Sequence, residues 1–343
     1  MRRNLLLSLA SITIFFGLLE VSLRLSGSVP TDAIRSPEVE TLNAIPGLFE
    51  PGQDFIDRII PQRPYRIQIN SLGFRGAEFT RQKQPGSTRL LCLGDSFTFG
   101  HLVGPEEAFP ARLEALLRQR ASSAPAAVEV INGGANGFTI PDELSFLRDK
   151  ALALRPDVVI LVFSQNDVAD LARRRPMIEV MRDYSKLKSV RVVGPTLQVL
   201  QRSAIFNSML RSAAWVRVKL LGTKTPQSLE ESDDLWRTYR TQLEEFAGLV
   251  RENGARMLLV AWPSDTQIAG TAPATAQENL SGYCAELGIP YLDLTPTMGA
   301  MQAGGVPAFL SPLDWHPSPE GHEAAAAAIA ARLIELGYLG DPR

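Results

Sequence analysis

Cysteine is scarce: only Cys92 and Cys284 occur, so neither a disulfide framework nor a thiolate metal cluster is available. Cys92 sits in an apolar strand-like run and Cys284 on a helix-like stretch, which reads as two buried thiols rather than a bridge. Charge is also scarce in its balance. A net charge of −2 at pH 7 offers no global attraction to nucleic acid or to anionic lipid, and no nucleic-acid partner is expected. No phosphate loop is present: Gly133-Gly134-Ala135-Asn136-Gly137 lacks both the Lys-Ser/Thr of a P-loop and the Gly-x-Gly-x-x-Gly spacing. Neither a metal nor an organic cofactor is implied. Histidine is limited to His101, His316 and His322, so any imidazole chemistry has few candidates.

Against those absences stands Gly94-Asp95-Ser96-Phe97-Thr98-Phe99-Gly100, directly after the apolar run Leu90-Leu91-Cys92-Leu93. A buried strand ending in Gly-Asp-Ser puts a hydroxyl at the strand's carboxyl edge, and Gly100 eases the turn away. A serine hydroxyl is a weak nucleophile and needs a base and oxyanion donors. His316 in Leu313-Asp314-Trp315-His316-Pro317 is the best candidate base. In an extended segment residues i and i+2 point the same way, so Asp314 is able to hold one imidazole nitrogen while the other faces Ser96. His101 and His322 read as structural or solvent-facing, and Asp95 as a brace for the turn.

Gly94-Asp95-Ser96, Asn132 to Gly137, Gln165-Asn166-Asp167 and Asp314-Trp315-His316 fall in the order of the four blocks of the SGNH (GDSL) hydrolase family, which the chain resembles from about Arg89 onward. Asn70-Ser71-Leu72-Gly73-Phe74-Arg75-Gly76 and the extended Gly94 to Gly100 block resemble its membrane-anchored bacterial branch. The resemblance implies Ser96 as nucleophile, Ser96, Gly137 and Asn166 as oxyanion donors, and Asp314 with His316 completing the triad. Two departures stand out. Ser164 occupies the usual glycine position of the third block, and one residue instead of two separates Asp314 from His316. Asp293, just after a predicted strand, is the fallback partner for His316.

Met1-Arg2-Arg3 precedes the apolar run Leu5 to Leu19, followed by Glu20 and Arg24. Arginines ahead of the run favour a cytoplasmic N-terminus and send the rest across the membrane. The expectation is a signal-anchor or signal peptide over residues 1–28, with Ser26-Gly27-Ser28 as a possible cleavage site. Glu20 and Arg24, spaced i, i+4, favour a retained helix, hence a bacterial inner-membrane protein with its catalytic part in the periplasm or outside, or a secreted one if cleaved. Residues 29–88 read as a spacer with an edge strand at Tyr65 to Asn70 that packs on the hydrolase. Asn70, Phe74 and Arg75 read as a structural turn in preference to substrate contacts.

Residues 89–343 carry the hydrolase pattern. Strands are predicted at Leu90–Leu93, Val128–Ile131, Val158–Phe163, Met257–Ala261 and Pro290–Leu292. Helices are predicted at Glu106–Arg120, Asp142–Leu154, Leu235–Arg251, Ala274–Leu287 and Glu320–Leu336. Such alternation specifies a flavodoxin-like three-layer α/β/α fold with a central parallel sheet, and the candidate residues follow the strands' carboxyl ends. Residues 168–229 interrupt it with roughly twelve Lys or Arg against three Asp or Glu, a basic helical insertion that reads equally as a cap over the cleft or as a solvated addition. The chemistry expected is serine esterase action on an ester, O-acetyl or short acyl groups on envelope or exported glycans first and lipid esters second. A polysaccharide O-acetyltransferase using the same triad, and a non-catalytic envelope-assembly or glycan-binding protein, are the alternatives.

Overall fold

A computed structural model describes residues 2–25, 46–58, 60, 62–120, 128–172, 175–189, 200, 203–206, 208–209 and 232–339. After the helix Arg2–Leu25 comes an antiparallel hairpin, β1 (Asp54–Asp57) and β2 (Tyr65–Gln68). Five further strands follow: β3 (Thr88–Leu93), β4 (Val128–Asn132), β5 (Val158–Phe163), β6 (Arg256–Ala261) and β7 (Tyr291–Asp293). They pair in parallel in the order β4-β3-β5-β6-β7. The first strand of the sheet thus lies inside it, and the crevice beside it at the carboxyl edge is the place where doubly wound folds bind ligands.

Strand composition explains the layering. Successive side chains point to opposite faces, and along β3, β5 and β6 both sets are apolar, so both faces need cover. Leu91, Leu93, Val159, Leu161, Phe163 and Leu259 join one core, with Leu147 of the helix Ile140–Asp149, Phe246 of Asp233–Glu252 and Leu280 of Thr275–Leu287. Leu90, Cys92, Ile160, Val162, Leu258 and Val260 join the other, with Leu113 of Phe109–Arg120 and Ile329 of Pro319–Glu335. The result is a three-layer α/β fold around a parallel sheet. Both cysteines are free and buried.

Differences from the expected elements have local causes. The helix expected from Asp142 to Leu154 starts at Ile140, behind a capping box of Thr139 and Asp142. It stops at Asp149 because Lys150 leaves helical backbone (φ −138°), and Ala151–Leu154 continue as a 3-10 turn. The partner strand β1 carries two aspartates in four residues, which hides its period.

At the N-terminus a helix forms over the expected apolar run. Among the described residues, however, no helix is long and apolar enough to cross a membrane, so the single-pass span is not found there. Charge enters its last turns, where Glu20 pairs with Arg24 at 2.6 Å and accepts from Ser203 Oγ (2.9 Å) and the Ala204 and Ile205 amides (2.8 and 3.0 Å). Burial opposes ionisation of Glu20, but these donors outweigh it and hold the carboxyl down at about 2. Ser26 to Ser28, and residues 190–199 and 210–231 of the basic insertion, lie outside the described residues. The insertion's described start is a five-residue turn, Asn166–Asp170, and the helix Met177–Ser189.

Candidate active site

The strand β3 delivers Ser96. Gly94 has φ 154°, and a Cβ there would meet Thr98 Oγ1 at 2.3 Å, so only glycine lets the chain fold back this tightly. Asp95 caps the single turn Ser96–Phe99 by accepting from the Phe97 amide at 2.9 Å, and Gly100 (φ 79°) closes it. Gly134 matters equally: its Cβ would lie 2.2 Å from the Phe99 amide, so the loop after β4 packs directly on the serine turn.

Ser96 Oγ lies 2.9 Å from His316 Nε2, and His316 Nδ1 lies 2.5 Å from Asp314 Oδ1. Asp314 Oδ1 also accepts the His316 amide at 2.9 Å, so the one-residue spacing folds the carboxylate back onto its own imidazole. Burial would raise the Asp314 pKa, yet its hydrogen bonds from the His316 ring and amide prevail and hold it below the usual carboxylate range. An ionised Asp314 accepts the hydrogen bond of Nδ1–H, which keeps that proton on Nδ1 and leaves the Nε2 lone pair facing the serine hydroxyl. Trp315 covers the imidazole in a stacked pair at 4.1 Å while staying 46% exposed itself. Asp293 is occupied elsewhere: its Oδ1 accepts the Thr295 amide (2.8 Å) and hydroxyl (2.6 Å), capping a helix.

Behind Ser96 lies a buried acidic pocket. Asp95 Oδ2 is 3.3 Å from Ser96 Oγ and accepts from Ser164 Oγ at 2.8 Å. Ser164 therefore fills the usual glycine position with a hydroxyl that ties two site loops together. Its Oγ also meets Asn166 Oδ1 at 2.8 Å, and Asn166 Nδ2 donates to Asp170 Oδ2 at 3.1 Å. Asn166 is thus fixed next to Asp95, and Gly137 (φ 76°) stands three residues past Gly134 in the neighbouring loop. Burial pushes Asp95, Asp167 and Glu143 upward, and the mutual repulsion of their charges adds to the rise for the last two.

This arrangement lines up a hydroxyl, an imidazole and a carboxylate at the carboxyl edge of the sheet. The sequence model of the GDSL-like lipase/acylhydrolase family matches residues 92–324, which contain all of these groups. The chain belongs to that family. As a GDSL-like acylhydrolase it is a carboxylic ester hydrolase. No curated protein matches it in sequence. Among solved structures it is similar to an acetyl xylan esterase from Geobacillus stearothermophilus, at 17% identity over 77% of this chain and 100% of that one, TM-score 0.46. It is also similar to a lipase/acylhydrolase from Enterococcus faecalis, at 20% identity over 75% and 99%, TM-score 0.45.

Sequence reasoning missed two contributors to the site of this GDSL chain. Arg75 is buried and donates to the carbonyls of Phe99 and Gly100 (both 2.5 Å) and Val103 (2.6 Å), so it clamps the exit of the serine turn. Burial lowers its pKa to about 10, which leaves it charged at neutral pH. A turn arginine after Gly73-Phe74 gives no sign of this without the fold. His101, expected to be structural or solvent-facing, instead packs against His316 with ring centroids 4.7 Å apart. His322 is fully buried under Phe109 and Trp262 and belongs to the core.

Proposed function

We propose that the protein cleaves short acyl esters, O-acetyl groups on glycans foremost, through an acyl-enzyme on Ser96. The carrying observation is the continuous chain Ser96 Oγ to His316 Nε2 and His316 Nδ1 to Asp314. His316 takes the hydroxyl proton as Ser96 Oγ bonds to the acyl carbon. The charge that develops on the carbonyl oxygen is held by the amides of Ser96 and Gly137 and the side chain of Asn166. Collapse expels the alcohol, which leaves with the proton from His316. Water then gives a proton to His316 and attacks the acyl carbon, and the acid departs as Ser96 recovers its proton.

The membrane-anchored location belongs to the same proposal. Two arginines ahead of the apolar run support export, and Ile14, Phe15 and Leu18 of the N-terminal helix are largely exposed, as attachment at a membrane demands. Turnover of p-nitrophenyl acetate, butyrate and octanoate, with Ser96→Ala and His316→Ala alongside, tests the chemistry. Acetate preference with both variants inactive supports deacetylation; equal rates in wild type and Ser96→Ala rule out the mechanism.

A further inference from the structure

The second histidine at the site is held in one defined state. Tyr65 Oη, contributed by β2, lies 3.2 Å from Asp57 Oδ2 of β1 and 3.0 Å from His101 Nδ1, and it also accepts the Leu102 amide. A phenol has one proton, and Tyr65 Oη donates it to Asp57 Oδ2. His101 must then donate Nδ1–H to Tyr65 Oη. The neighbouring Asn136 is compatible with this once its amide is turned over. Its Nδ2 stands 3.4 Å from His101 Nδ1 while its Oδ1 is buried without a partner, and turning the amide over points that oxygen at the Nδ1 proton.

Fixing the proton on Nδ1 makes Nε2 a lone-pair acceptor. None of the described residues bonds it, and unlike His322 Nε2 it is not fully buried. Burial, with His316 next to it, pushes the His101 pKa down to about 3, so the acceptor persists at neutral pH. The ring stands edge-on to Tyr65 and against His316, within the same group of side chains that holds the base.

We infer that His101 is a specificity residue: its Nε2 accepts a hydrogen bond from a hydroxyl on the alcohol side of the ester, selecting esters of polyols and sugars over those of plain alcohols. The inference rests on the ester-cleavage reading above and narrows its substrate. It also gives the N-terminal hairpin a part in recognition, because Tyr65 and Asp57 choose the tautomer.

The test compares 2-hydroxyethyl acetate with propyl acetate, in which a methyl replaces the hydroxyl, using the full chain. The wild type should prefer the hydroxylated ester in kcat/KM. His101→Phe, which keeps a ring against His316, should reduce that preference about five- to tenfold, the worth of one neutral hydrogen bond. His101→Gln restores an acceptor and should recover part of the preference, and Tyr65→Phe should weaken it by freeing the tautomer. An unchanged ratio in His101→Phe and His101→Gln, both folded by near-UV circular dichroism, overturns the assignment, as does an equal loss on both esters. A wild type that cleaves neither ester fails earlier, on the ester-cleavage reading itself.

Discussion

His322 gives a stability prediction whose size follows from its surroundings. Its ring is fully buried; Nδ1 accepts the Phe109 amide at 3.3 Å, and Nε2 has no partner. Burial, helped by the charges of Arg75 and His316, lowers its pKa to about 3. Between that value and the unfolded pKa of about 6.5, the unfolded chain binds a proton that the folded chain refuses. Stability is therefore complete above the unfolded value and is lost as pH falls through the window. At about pH 5 the loss from this one group is about 2 kcal/mol relative to about pH 7.5. Urea unfolding of wild type and His322→Gln at both pH values isolates it. Packing changes cancel in the difference between pH values, and so do the other titrating groups. The variant should lose about 2 kcal/mol less than wild type on acidification. Identical pH dependence in the two proteins refutes the buried neutral imidazole.

Three further outcomes follow from the site. If Asn166 serves as the proposed oxyanion donor, Asn166→Ala should lower kcat about 10²- to 10³-fold with little change in KM, measured on p-nitrophenyl acetate. Arg75→Leu strips three buried carbonyls of their donor and should cost about 3 kcal/mol or more in urea unfolding, with a fall in kcat as the serine turn loosens. Glu143, raised by burial and by the charges of Asp95 and Asp142, keeps its proton above the unfolded value, so its stabilisation is full at low pH and is lost as pH rises. Glu143→Gln should therefore gain on wild type in urea midpoint between about pH 5 and about pH 9; a constant gap contradicts the buried protonated acid.

The centre of the sheet was legible because β3, β5 and β6 are short, largely apolar runs set between helical periods, as parallel strands buried on both faces require. Val158–Phe163 falls on the expected residues for this reason. Asp314 and His316 were legible because the geometry that joins them is local, two positions apart on one loop. His101 was not: its partner Tyr65 lies 36 positions away, and nothing local shows that the hairpin closes over the serine turn. Arg75 was hidden in the same way, since a buried guanidinium and an exposed one look alike in a turn sequence. Asp293 had the residue type and strand-end position of a triad partner, but its use as a cap depends on the helix Thr295–Ala303, which the sequence does not announce.

In the proposed reaction Ser96, activated by His316, forms the covalent acyl link. Intact-mass analysis after exposure to a fluorophosphonate tests this directly, because the reagent reacts preferentially with an activated serine hydroxyl. The expected result is a single adduct on Ser96, absent in Ser96→Ala and greatly slowed in His316→Ala. A folded wild type that stays unlabelled, or a Ser96→Ala variant labelled as fast as wild type, contradicts it.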